Sequence, residues 1–435
     1  METATRETFG NIPPSSQAVF YVIAVLSMVI FGYGLWRRYR LWRLGQPINL
    51  LQSLRGGLGA MWTRFRPGAR RVLVEGLGQQ RVRGRGLAGS AHIVMFAGFM
   101  MLLLGTTLLE IDHLAAMISP ELSFHRGAYY VIYEFTLDVF GLFFIAGCTY
   151  FLWRRIKRPA SVGHRTTDWY VLLSFIALGI TGYLVEGLRI LWQQPEGIAA
   201  WCSPVGLGVA KLFSNLTVAD ARTAHFAVWW IHALLVFGFI ASIPFTRLLH
   251  FITGPMNLFL AAPSLGQLRP VTMEEVEATE RIGVSDIRHF TQQQLLSLDA
   301  CMECGRCEEA CPAYLMGKPL SPKAVVQDLR GLLEKTAAAG GKAPAMHEET
   351  IKAETLWSCT TCNACVEVCP VRIDQVALIV DMRRHLVSEG GLSGTAATAL
   401  RRMQSAANPW GLPVNERAAW TASLNQNPHS QAPPA

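Results

Sequence analysis

Long apolar runs separated by polar loops fill the first 250 residues of the chain. Five of them are long enough to cross a bilayer, because a membrane helix needs about 20 residues at a rise of about 1.5 Å each. The predicted membrane helices run approximately from Ala18 to Trp36, Leu87 to Leu109, Ala128 to Trp153, Trp169 to Trp192 and Phe226 to Leu249. A buried helix of a soluble protein would explain one such run, most readily the fourth, but not the set.

The pattern changes after the last apolar run. A Pro- and Gly-containing stretch from Gly254 to Pro270 leads into an acidic, helix-forming region that begins near Thr272. The sequence after Leu424 is rich in Asn, Gln, Ser and Pro, a composition typical of disorder. We therefore predict a mainly α-helical protein with a membrane domain over 1–260, a linker over 261–284, a second domain over 285–424 and a disordered tail over 425–435.

Composition supports a location in the bilayer. Of the 435 residues, 51% are apolar and only 16% are charged, against about 25% in an average soluble domain. Residues 1–260 carry 23 basic and 12 acidic side chains, whereas residues 261–435 carry 16 and 19. The basic residues stand between apolar runs and not on a polar, aromatic surface, which argues against nucleic-acid binding.

Two loops hold most of the positive charge. Residues 37–86 contain twelve Arg and one acidic residue, Glu75, and residues 154–168 contain five basic residues. Basic loops stay on the cytoplasmic side, and the loops around Glu121 and Asp220 are poor in them. The sequence predicts a multi-pass protein of the cytoplasmic (inner) membrane, with the N-terminus outside and everything after His250 in the cytoplasm. The first apolar run lacks a basic leader and a cleavage site, so we interpret it as an anchor.

Eight of the ten cysteines form two copies of the motif C-x2-C-x2-C-x3-C-P. The copies contain Cys301, Cys304, Cys307 and Cys311, and Cys359, Cys362, Cys365 and Cys369. Three closely spaced cysteines can bind three irons of one 4Fe-4S cube, while the fourth cysteine of such a motif binds the other cube. We therefore predict two 4Fe-4S clusters with exchanged fourth ligands, Cys369 joining the first three cysteines of the first motif and Cys311 those of the second.

Zinc sites or disulfides are the alternatives for these cysteines. Disulfides are disfavoured in a reducing cytoplasm, and structural zinc usually takes two separated C-x2-C pairs. Cys148, in the third apolar run, and Cys202, in an outer loop, stand apart from the motifs. We interpret both as small structural residues.

Three histidines in the apolar runs are candidate haem ligands. His92 lies near the cytoplasmic end of the second run, and the fifth run carries His232 and, 18 residues later, His250. On a continuous helix 18 residues make five turns, so the last two rings would project from one face, about 27 Å apart. Ionisable groups in a bilayer usually face the bundle interior, and neutral imidazole binds haem iron. The matching depth of His92 and His250 predicts one b-type haem between them.

A histidine that is only hydrogen-bonded within the bundle is the alternative for each of these three. His113, His125 and His225 fall toward the outer edge of their runs. We interpret them as interfacial or outer-surface residues.

Residues 15–260 resemble the gamma-subunit cytochrome b of respiratory nitrate reductase and the membrane subunit of heterodisulfide reductase. The resemblance is most specific in IHALLVFGFIASIPFTRLLHF, where the Pro-Phe-Thr-Arg-Leu-Leu-His run and the histidine spacing both match. That family has five membrane helices and binds two haems through two histidines on the second helix and two on the fifth. His92, His232 and His250 match three of these, but Leu102 stands at the fourth position. The resemblance thus implies an inner haem and leaves a haem on His232 with only His113 as a candidate partner.

Residues 285–420 resemble the iron-sulfur subunit of heterodisulfide reductase, including the segment NPWGLPVNERAAW from Asn408 to Trp420. The order of the two parts resembles membrane oxidoreductases that link electron-transfer flavoprotein to menaquinone, in which a cysteine-rich CCG domain comes next. The resemblance implies a separate CCG-domain subunit and an electron-transfer flavoprotein as partners. The surface around Trp410 and Trp420 is the candidate docking site, and packing of these aromatics onto the C-terminal helices is an equal alternative.

Together these features predict the electron-transfer subunit of a quinone-linked membrane oxidoreductase, with substrate chemistry on a partner and electrons passing between menaquinone or ubiquinone, the haem and the clusters. A membrane redox sensor or anchor is the alternative, disfavoured because no output domain is visible. Quinone chemistry needs titratable groups, and the candidates are Glu110, Asp112, Asp138, Glu186 and Arg189. For Glu186 and Arg189 we favour a plain ion pair.

Overall fold

The computed structural model describes residues 5, 8–47, 57–84, 86–157, 166–262, 265–340, 344–392 and 394–423. These residues form helices and turns, with isolated β-bridges and no strand among them. Within the described ranges, five helices are long and apolar enough to span a membrane: Pro14–Trp42, Gly86–Ile118, Gly127–Ile156, Thr166–Gln193 and Val218–Phe245. The predicted set of five membrane helices is confirmed, and the chain is an integral membrane protein.

Glycines let the second and third membrane helices approach closely. A Cβ atom at Gly98 would lie 2.7 Å from the carbonyl oxygen of Phe140, and one at Gly147 would lie 2.6 Å from Cβ of Met95. Lipid offers no hydrophobic driving force for helix association, so small residues stabilise the bundle by permitting van der Waals contact between backbones. Substitution of either glycine would push the two helices apart.

The fifth membrane helix does not continue to His250. Its α-helical part ends at Ser242 and is followed by two 3-10 turns and a new helix: Ile243–Phe245, Arg247–Leu249 and His250–Leu260. Pro244 lacks an N–H group and packs against the first membrane helix, where a Cβ at Gly34 would lie 2.5 Å from Cβ of Pro244. The expectation that His232 and His250 share the face of one continuous helix was therefore wrong.

Shorter helices occupy the connections and the second domain. The connections of the membrane domain contain Gly57–Arg71, a π-helical turn Val72–Leu77, Gln80–Arg83, Pro120–Leu122, Gly197–Ala200 and Pro204–Leu212. The part after the membrane domain contains Met273–Thr279, Ile287–His289, Gln292–Asp299, Arg306–Glu309, Pro312–Leu315, Pro322–Ala338, Ala353–Trp357, Ala364–Glu367, Gln375–Ser388, Gly394–Ala406 and Val414–Ser423. The predicted tail, 425–435, lies outside the described residues.

The second domain shares its hydrophobic core with the first membrane helix. Phe290, Leu298 and Leu329 are fully buried there, and Leu41 and Trp42 from the end of that helix pack into the same core. The indole Nε1 of Trp42 also donates a hydrogen bond to the buried carboxylate of Asp299, at 2.8 Å. The last turns of the first membrane helix therefore fix the second domain against the bundle.

The second domain lies on the arginine-rich side of the bundle. Arg38, at the end of the first membrane helix, forms a 2.6 Å ion pair with Glu334, and Arg81 donates to the carbonyl oxygen of Cys369 at 3.2 Å. The N-terminal segment lies at the opposite end, where Asn11 donates to the carbonyl oxygen of Arg222 at 2.7 Å. The two kinds of loop distinguished by charge in the sequence thus lie on opposite sides of the bundle.

Candidate functional site

The two cysteine motifs fold into loops of the same conformation. The residues two and four positions after the first cysteine have positive φ in both: Glu303 and Gly305 in the first motif, Thr361 and Asn363 in the second. Each loop then enters a one-turn helix, Arg306–Glu309 or Ala364–Glu367. Left-handed residues wrap the chain tightly, which directs successive cysteine side chains toward a common point. The internal repeat read from the sequence is therefore also a repeat of backbone geometry.

The fourth cysteine of each motif lies with the first three cysteines of the other. The pKa of the Cys369 thiol is raised to about 12, first by burial and then by the nearby sulfurs of Cys304 and Cys301. The pKa of Cys365 is likewise raised to about 12, by burial and by the sulfurs of Cys359, Cys311 and Cys362. Sulfurs that influence one another in this way converge as two separate groups, and this grouping supports the exchanged fourth ligands.

The two sulfur groups are close neighbours. The pKa of Cys307 is raised by burial, by the three cysteines of its own group and also by Cys365 of the other. Backbone N–H groups point at the sulfurs, from Ile373 to Cys369 at 3.3 Å and from Thr361 to Cys359 at 3.4 Å. Such donors favour the thiolate over the thiol, and the thiolate is the form that binds iron.

Among the residues described here, no three His, Cys, Asp or Glu side chains are close enough to share one metal ion. A 4Fe-4S cube asks for a wider spacing than a single ion does, since each thiolate binds a different iron. Cys304 and Cys362 are exposed, and Cys311, Cys365 and Cys369 are buried. Each group thus has one exposed cysteine and at least one buried cysteine.

One cavity of about 1100 Å³ runs through the helix bundle and reaches the second domain. Its lining includes all three candidate histidines, His92, His232 and His250, together with Cys304 and Pro370 from the two cysteine motifs. The volume exceeds the range of about 300 to 1,000 Å³ that is typical of sites for one small molecule. The histidines predicted from separate runs therefore line one cavity. This cavity extends to the first sulfur group, which contains Cys301, Cys304, Cys307 and Cys369.

The hydrogen bonding and burial of the His92 and His250 rings are compatible with binding of haem iron. Nδ1 of His250 donates to the carbonyl oxygen of Arg247 at 2.7 Å, which leaves Nε2 with a lone pair. Burial and, to a smaller extent, the nearby His92 lower the pKa of His250 to about 4, so the ring is neutral. Nδ1 of His92 is buried without a hydrogen-bond partner among the described residues. A neutral His250 with a lone pair on Nε2 and a His92 ring in the same cavity fit a b-type haem.

Arg247 joins the backbone beside His250 to the first cysteine loop. Its guanidinium contacts the carboxylate of Glu303 at 3.0 Å and donates to the carbonyl oxygen of Met302 at 3.1 Å. It also forms a 2.7 Å ion pair with Asp168 of the fourth membrane helix. The same residue therefore orients the histidine through its carbonyl group and holds the cysteine loop through its side chain.

The helix that begins at His250 adds a second link to the cysteine motifs. The hydroxyl of Thr253 donates to the carbonyl oxygen of Asp299, at 3.2 Å, just before the first motif. The amide of Asn257 donates to the carbonyl oxygens of Val371 and Arg372, at 2.7 and 3.2 Å, just after Cys369. Residues at positions 250, 253 and 257 share one helix face. This face connects His250 rigidly to the segments on both sides of the first sulfur group.

His232 lines the same cavity without a histidine opposite. Its Nδ1 lies 2.8 Å from the hydroxyl oxygen of Thr181, and Leu102 and Leu103 of the second membrane helix also line the cavity. His113 is not among the lining residues, and its ring packs against Phe9 with centroids 4.9 Å apart. The described residues therefore give His232 no imidazole partner.

The comparisons with known proteins identify both halves. Residues 90–266 match the nitrate reductase gamma subunit family, and residues 297–373 match the 4Fe-4S dicluster domain family. The chain thus joins a membrane domain that is similar to nitrate reductase gamma subunits to a domain that is similar to 4Fe-4S dicluster domains. The resemblance drawn from the motifs and the mainly α-helical class are thereby confirmed, with iron-sulfur clusters as the cofactors of the dicluster domain.

Relatives of known name match most of the chain or one part of it. The chain is 31% identical to the EtfAB:quinone oxidoreductase of Syntrophomonas wolfei over 94% of its length and 60% of that protein. It is 27% identical to the probable iron-sulfur-binding oxidoreductase FadF of Bacillus subtilis, over 92% of the chain and 60% of the relative. Against a subunit of the dihydromethanophenazine:CoB–CoM heterodisulfide reductase of Methanosarcina barkeri the identity is 31%, over 31% of the chain and 35% of that relative. The chain spans about 60% of the length of the first two, and no solved structure matches it.

Carboxylates cluster in the outer part of the membrane domain. Glu186 forms two hydrogen bonds with Arg189, at 2.6 and 2.9 Å, and Glu134 lies 3.8 Å from the same guanidinium. Asp138 instead accepts backbone N–H groups at the start of the helix Pro204–Leu212. The ion pair favoured for Glu186 and Arg189 is thus present. Sequence reasoning missed Glu134, although an acidic residue within a membrane helix was a sufficient signal.

The remaining acidic candidates do not line the cavity. Glu110 accepts a hydrogen bond from the hydroxyl of Tyr21 at 3.1 Å. Asp112 accepts the backbone N–H groups of Phe124 and His125, at 2.6 and 3.0 Å, and so fixes the loop between two membrane helices. Both carboxylates have local structural partners, and neither is among the residues that line the cavity.

Two histidines expected near the outer surface are buried. His125 is 1% exposed and packs edge-on against Tyr133, with ring centroids 4.3 Å apart. His225 is 5% exposed, and its Nδ1 lies 3.3 Å from the side-chain amide of Asn11. The N-terminal segment and the outer loops cover these rings, so the expectation of an outer-surface position was wrong for His125, whereas the interfacial depth of His225 stays a prediction. The hydrophobic pattern of a helix does not show whether loops from distant parts of the sequence cover its end.

Two other predictions concern isolated residues. Cys148 and Cys202 are 0% and 4% exposed, which agrees with a structural role for both. Trp410 and Trp420 are each 71% exposed. Packing of these aromatics into the C-terminal helices therefore does not account for them, and an exposed aromatic pair is typical of an interaction surface.

Proposed function

We propose that this chain is the electron-transfer subunit of a quinone-linked membrane oxidoreductase. The single observation that carries the proposal is the cavity that holds His92, His250 and His232 within the membrane domain and extends to Cys304 of the dicluster domain. Such a connection supports one path, with a membrane-soluble electron donor or acceptor at one end and a cytoplasmic relay at the other. The names of the relatives, which are oxidoreductases, support the same function.

The clusters have an order along this path. The cavity is lined by Met302, Glu303, Cys304 and Arg306 of the first motif and by Pro370 and Val371 beside Cys369. No cysteine of the other sulfur group is among its lining residues. The cluster held by Cys301, Cys304, Cys307 and Cys369 would therefore be proximal to the membrane, and the one held by Cys359, Cys362, Cys365 and Cys311 distal.

His92 and His250 would hold one b-type haem at the cytoplasmic side of the bundle. When bound, the haem supplies a one-electron redox centre between the quinone and the proximal cluster. The chain contributes the two neutral rings, the carbonyl oxygen of Arg247 that fixes the tautomer of His250, and the guanidinium groups of Arg155 and Arg306, which line the same end of the cavity. Those cations suit the carboxylate groups of a haem.

Orientation, boundaries and partners complete the proposal. The positive-inside bias puts the dicluster domain in the cytoplasm and the N-terminus outside the inner membrane, because the domain lies against the arginine-rich loops. The domain limits remain those predicted, 1–260 and 285–424 joined by 261–284.

A CCG-domain subunit and an electron-transfer flavoprotein would meet the chain on its cytoplasmic side, with menaquinone or ubiquinone in the bilayer. The exposed Trp410 and Trp420 are the proposed dock for the CCG-domain subunit.

The test is anaerobic purification of the full chain followed by iron and haem analysis and reduction with a quinol. We expect about eight irons in two cubes, one haem with two histidine ligands, and reduction of both by menadiol. Zinc in place of iron, or the absence of haem, would overturn the proposal. Reduction that never proceeds to turnover with added electron acceptor would favour a redox sensor.

A further inference from the structure

The outer half of the cavity is chemically unlike the inner half. His232 is accompanied there by Tyr183, Glu134 and Glu186, and no second histidine is among the lining residues at this level. The four-histidine pattern of two haems is therefore incomplete at the outer position. The assignment of a ligand to this half of the cavity rests on the proposed function.

The hydrogen bond between Thr181 and His232 fixes the tautomer of the histidine. The Thr181 hydroxyl has one proton, and it donates this proton to the carbonyl oxygen of Ala177 at 2.7 Å. With the hydroxyl proton in that hydrogen bond, the Thr181 oxygen accepts from Nδ1 of His232, 2.8 Å away. A neutral ring in this arrangement carries its proton on Nδ1, and Nε2 is then a hydrogen-bond acceptor in a residue that lines the cavity.

The residues across the cavity do not fit a second haem held by two histidines. Leu102, Leu103 and Thr106 of the second membrane helix line the cavity here, and none of them can bind haem iron in the way an imidazole does. The thioether of Met100 also lines the cavity. A haem held by His232 and Met100 is consequently the competing outcome that the experiment must separate.

Two glutamates beside His232 share one cation. A Cβ atom at Gly182 would lie 3.5 Å from Cε1 of His232, and Glu186 lies one helical turn, about 6 Å, farther along the same face. Glu186 and Glu134 both pair with Arg189. Two carboxylates with one guanidinium carry a net negative charge when both are ionised, which a low-dielectric site disfavours. The group formed by Glu134, Glu186 and Arg189 is therefore suited to hold or release one proton.

We propose that the outer half of the cavity binds the head group of a quinone in place of a second haem, with Nε2 of His232 accepting a hydrogen bond from the quinol hydroxyl. In oxidation, the quinol would give two electrons, one at a time, to the haem proposed between His92 and His250, and its two O–H bonds would break. One proton passes to Nε2 of His232 and the other to the pair Glu134 and Glu186, from which both leave to the outer side. Reduction of the quinone is the reverse.

His232→Ala in the full chain tests this assignment. We expect the wild type and the variant to contain the same one haem per chain, with dithionite reducing the haem and clusters fully in both. Reduction of the haem by menadiol should be slower in the variant, on the order of 100-fold, because a positioned proton acceptor is lost. His225→Ala, about two turns outward and absent from the cavity lining, should reduce at the wild-type rate.

Thr181 provides the finer test, since it acts only through His232. Thr181→Val removes the acceptor of the Nδ1 proton, so menadiol oxidation should slow, on the order of tenfold, and its pH dependence should shift. Thr181→Ser should restore both. Two haems in the wild type with one lost in His232→Ala would overturn the proposal, as would an unchanged menadiol rate in that variant or an equal loss in His225→Ala. Absence of haem and clusters altogether would instead refute the proposed function.

Discussion

The inner and outer halves of the membrane domain use histidine in different ways. In the inner half His250 and His92 share the cavity with the cysteine loop, and Arg247 connects that loop to the histidine backbone. In the outer half His232 stands with two glutamates and one arginine. In the proposed function the inner half would fix the relative positions of two redox centres, whereas the outer half would supply groups that exchange protons. Histidine thus has a different proposed role in each half, because different residues lie opposite it.

The largest effect should come from breaking the inner half. His250→Ala removes a proposed axial ligand, so we expect complete loss of the haem absorbance bands. The cluster signals in electron paramagnetic resonance should remain, because the hydrophobic core that supports the dicluster domain does not include His250. A haem spectrum that survives this change would show that His250 is not a ligand. His92→Ala should give the same result.

The next effect distinguishes the two clusters. Cys369→Ala should destroy the proximal cluster and leave the distal one, and Cys311→Ala should do the reverse, because each cysteine lies with the opposite sulfur group. Iron should fall from about eight to about four atoms per chain in both variants. Only Cys369→Ala should interrupt electron transfer to the haem while leaving a cluster that soluble reductants still reduce. If Cys369→Ala spares the cluster of Cys301, the ligands are not exchanged.

A smaller effect should result from loosening the link between haem and cluster. Arg247→Gln removes the ion pairs of this guanidinium with Glu303 and Asp168, and we expect electron transfer between cluster and haem to slow, on the order of tenfold, through misplacement of the two centres. Stopped-flow reduction of the haem through the clusters measures this rate. Arg247→Lys should recover part of it, because charge is retained and bidentate contact is not.

Arg38→Gln is the matched control for Arg247→Gln. Arg38 also ties a membrane helix to the dicluster domain, through Asp299 and Glu334, but it contacts neither His250 nor a residue between the motif cysteines. We expect haem reduction in this variant at the wild-type rate. Equal slowing in both variants would mean that any weakened domain contact, and not the specific link, controls the rate.

The smallest effect on the isolated chain should come from the proposed docking surface. Trp410→Ala removes an aromatic side chain that is 71% exposed, so stability, haem and cluster content should not change. Affinity for a CCG-domain subunit should fall by about 2 kcal/mol or more, as for an aromatic hot spot. Co-purification with that subunit measures the loss, and unaltered binding would place the dock elsewhere.

Local sequence predicted the elements of this protein well and their connections poorly. The five membrane helices and the two cysteine motifs are evident from hydrophobic length and residue spacing, which are local quantities. The break after Ser242 was missed although Pro244 marks it, because the apolar run continues through it. The insertion of Leu41 and Trp42 into the core of the other domain had no local signal at all.

The sequence by itself determined five apolar runs long enough to cross a membrane and two cysteine sets of iron-sulfur type, since transfer to lipid and thiolate spacing depend on residues near in sequence. Only the tertiary structure decided which sulfur group meets the cavity of the membrane domain, that His92, His232 and His250 share that cavity, and that Arg247 connects His250 to Glu303. These relations join residues dozens to hundreds of positions apart. They arise from the packing of whole helices and loops, which no periodicity along the chain records.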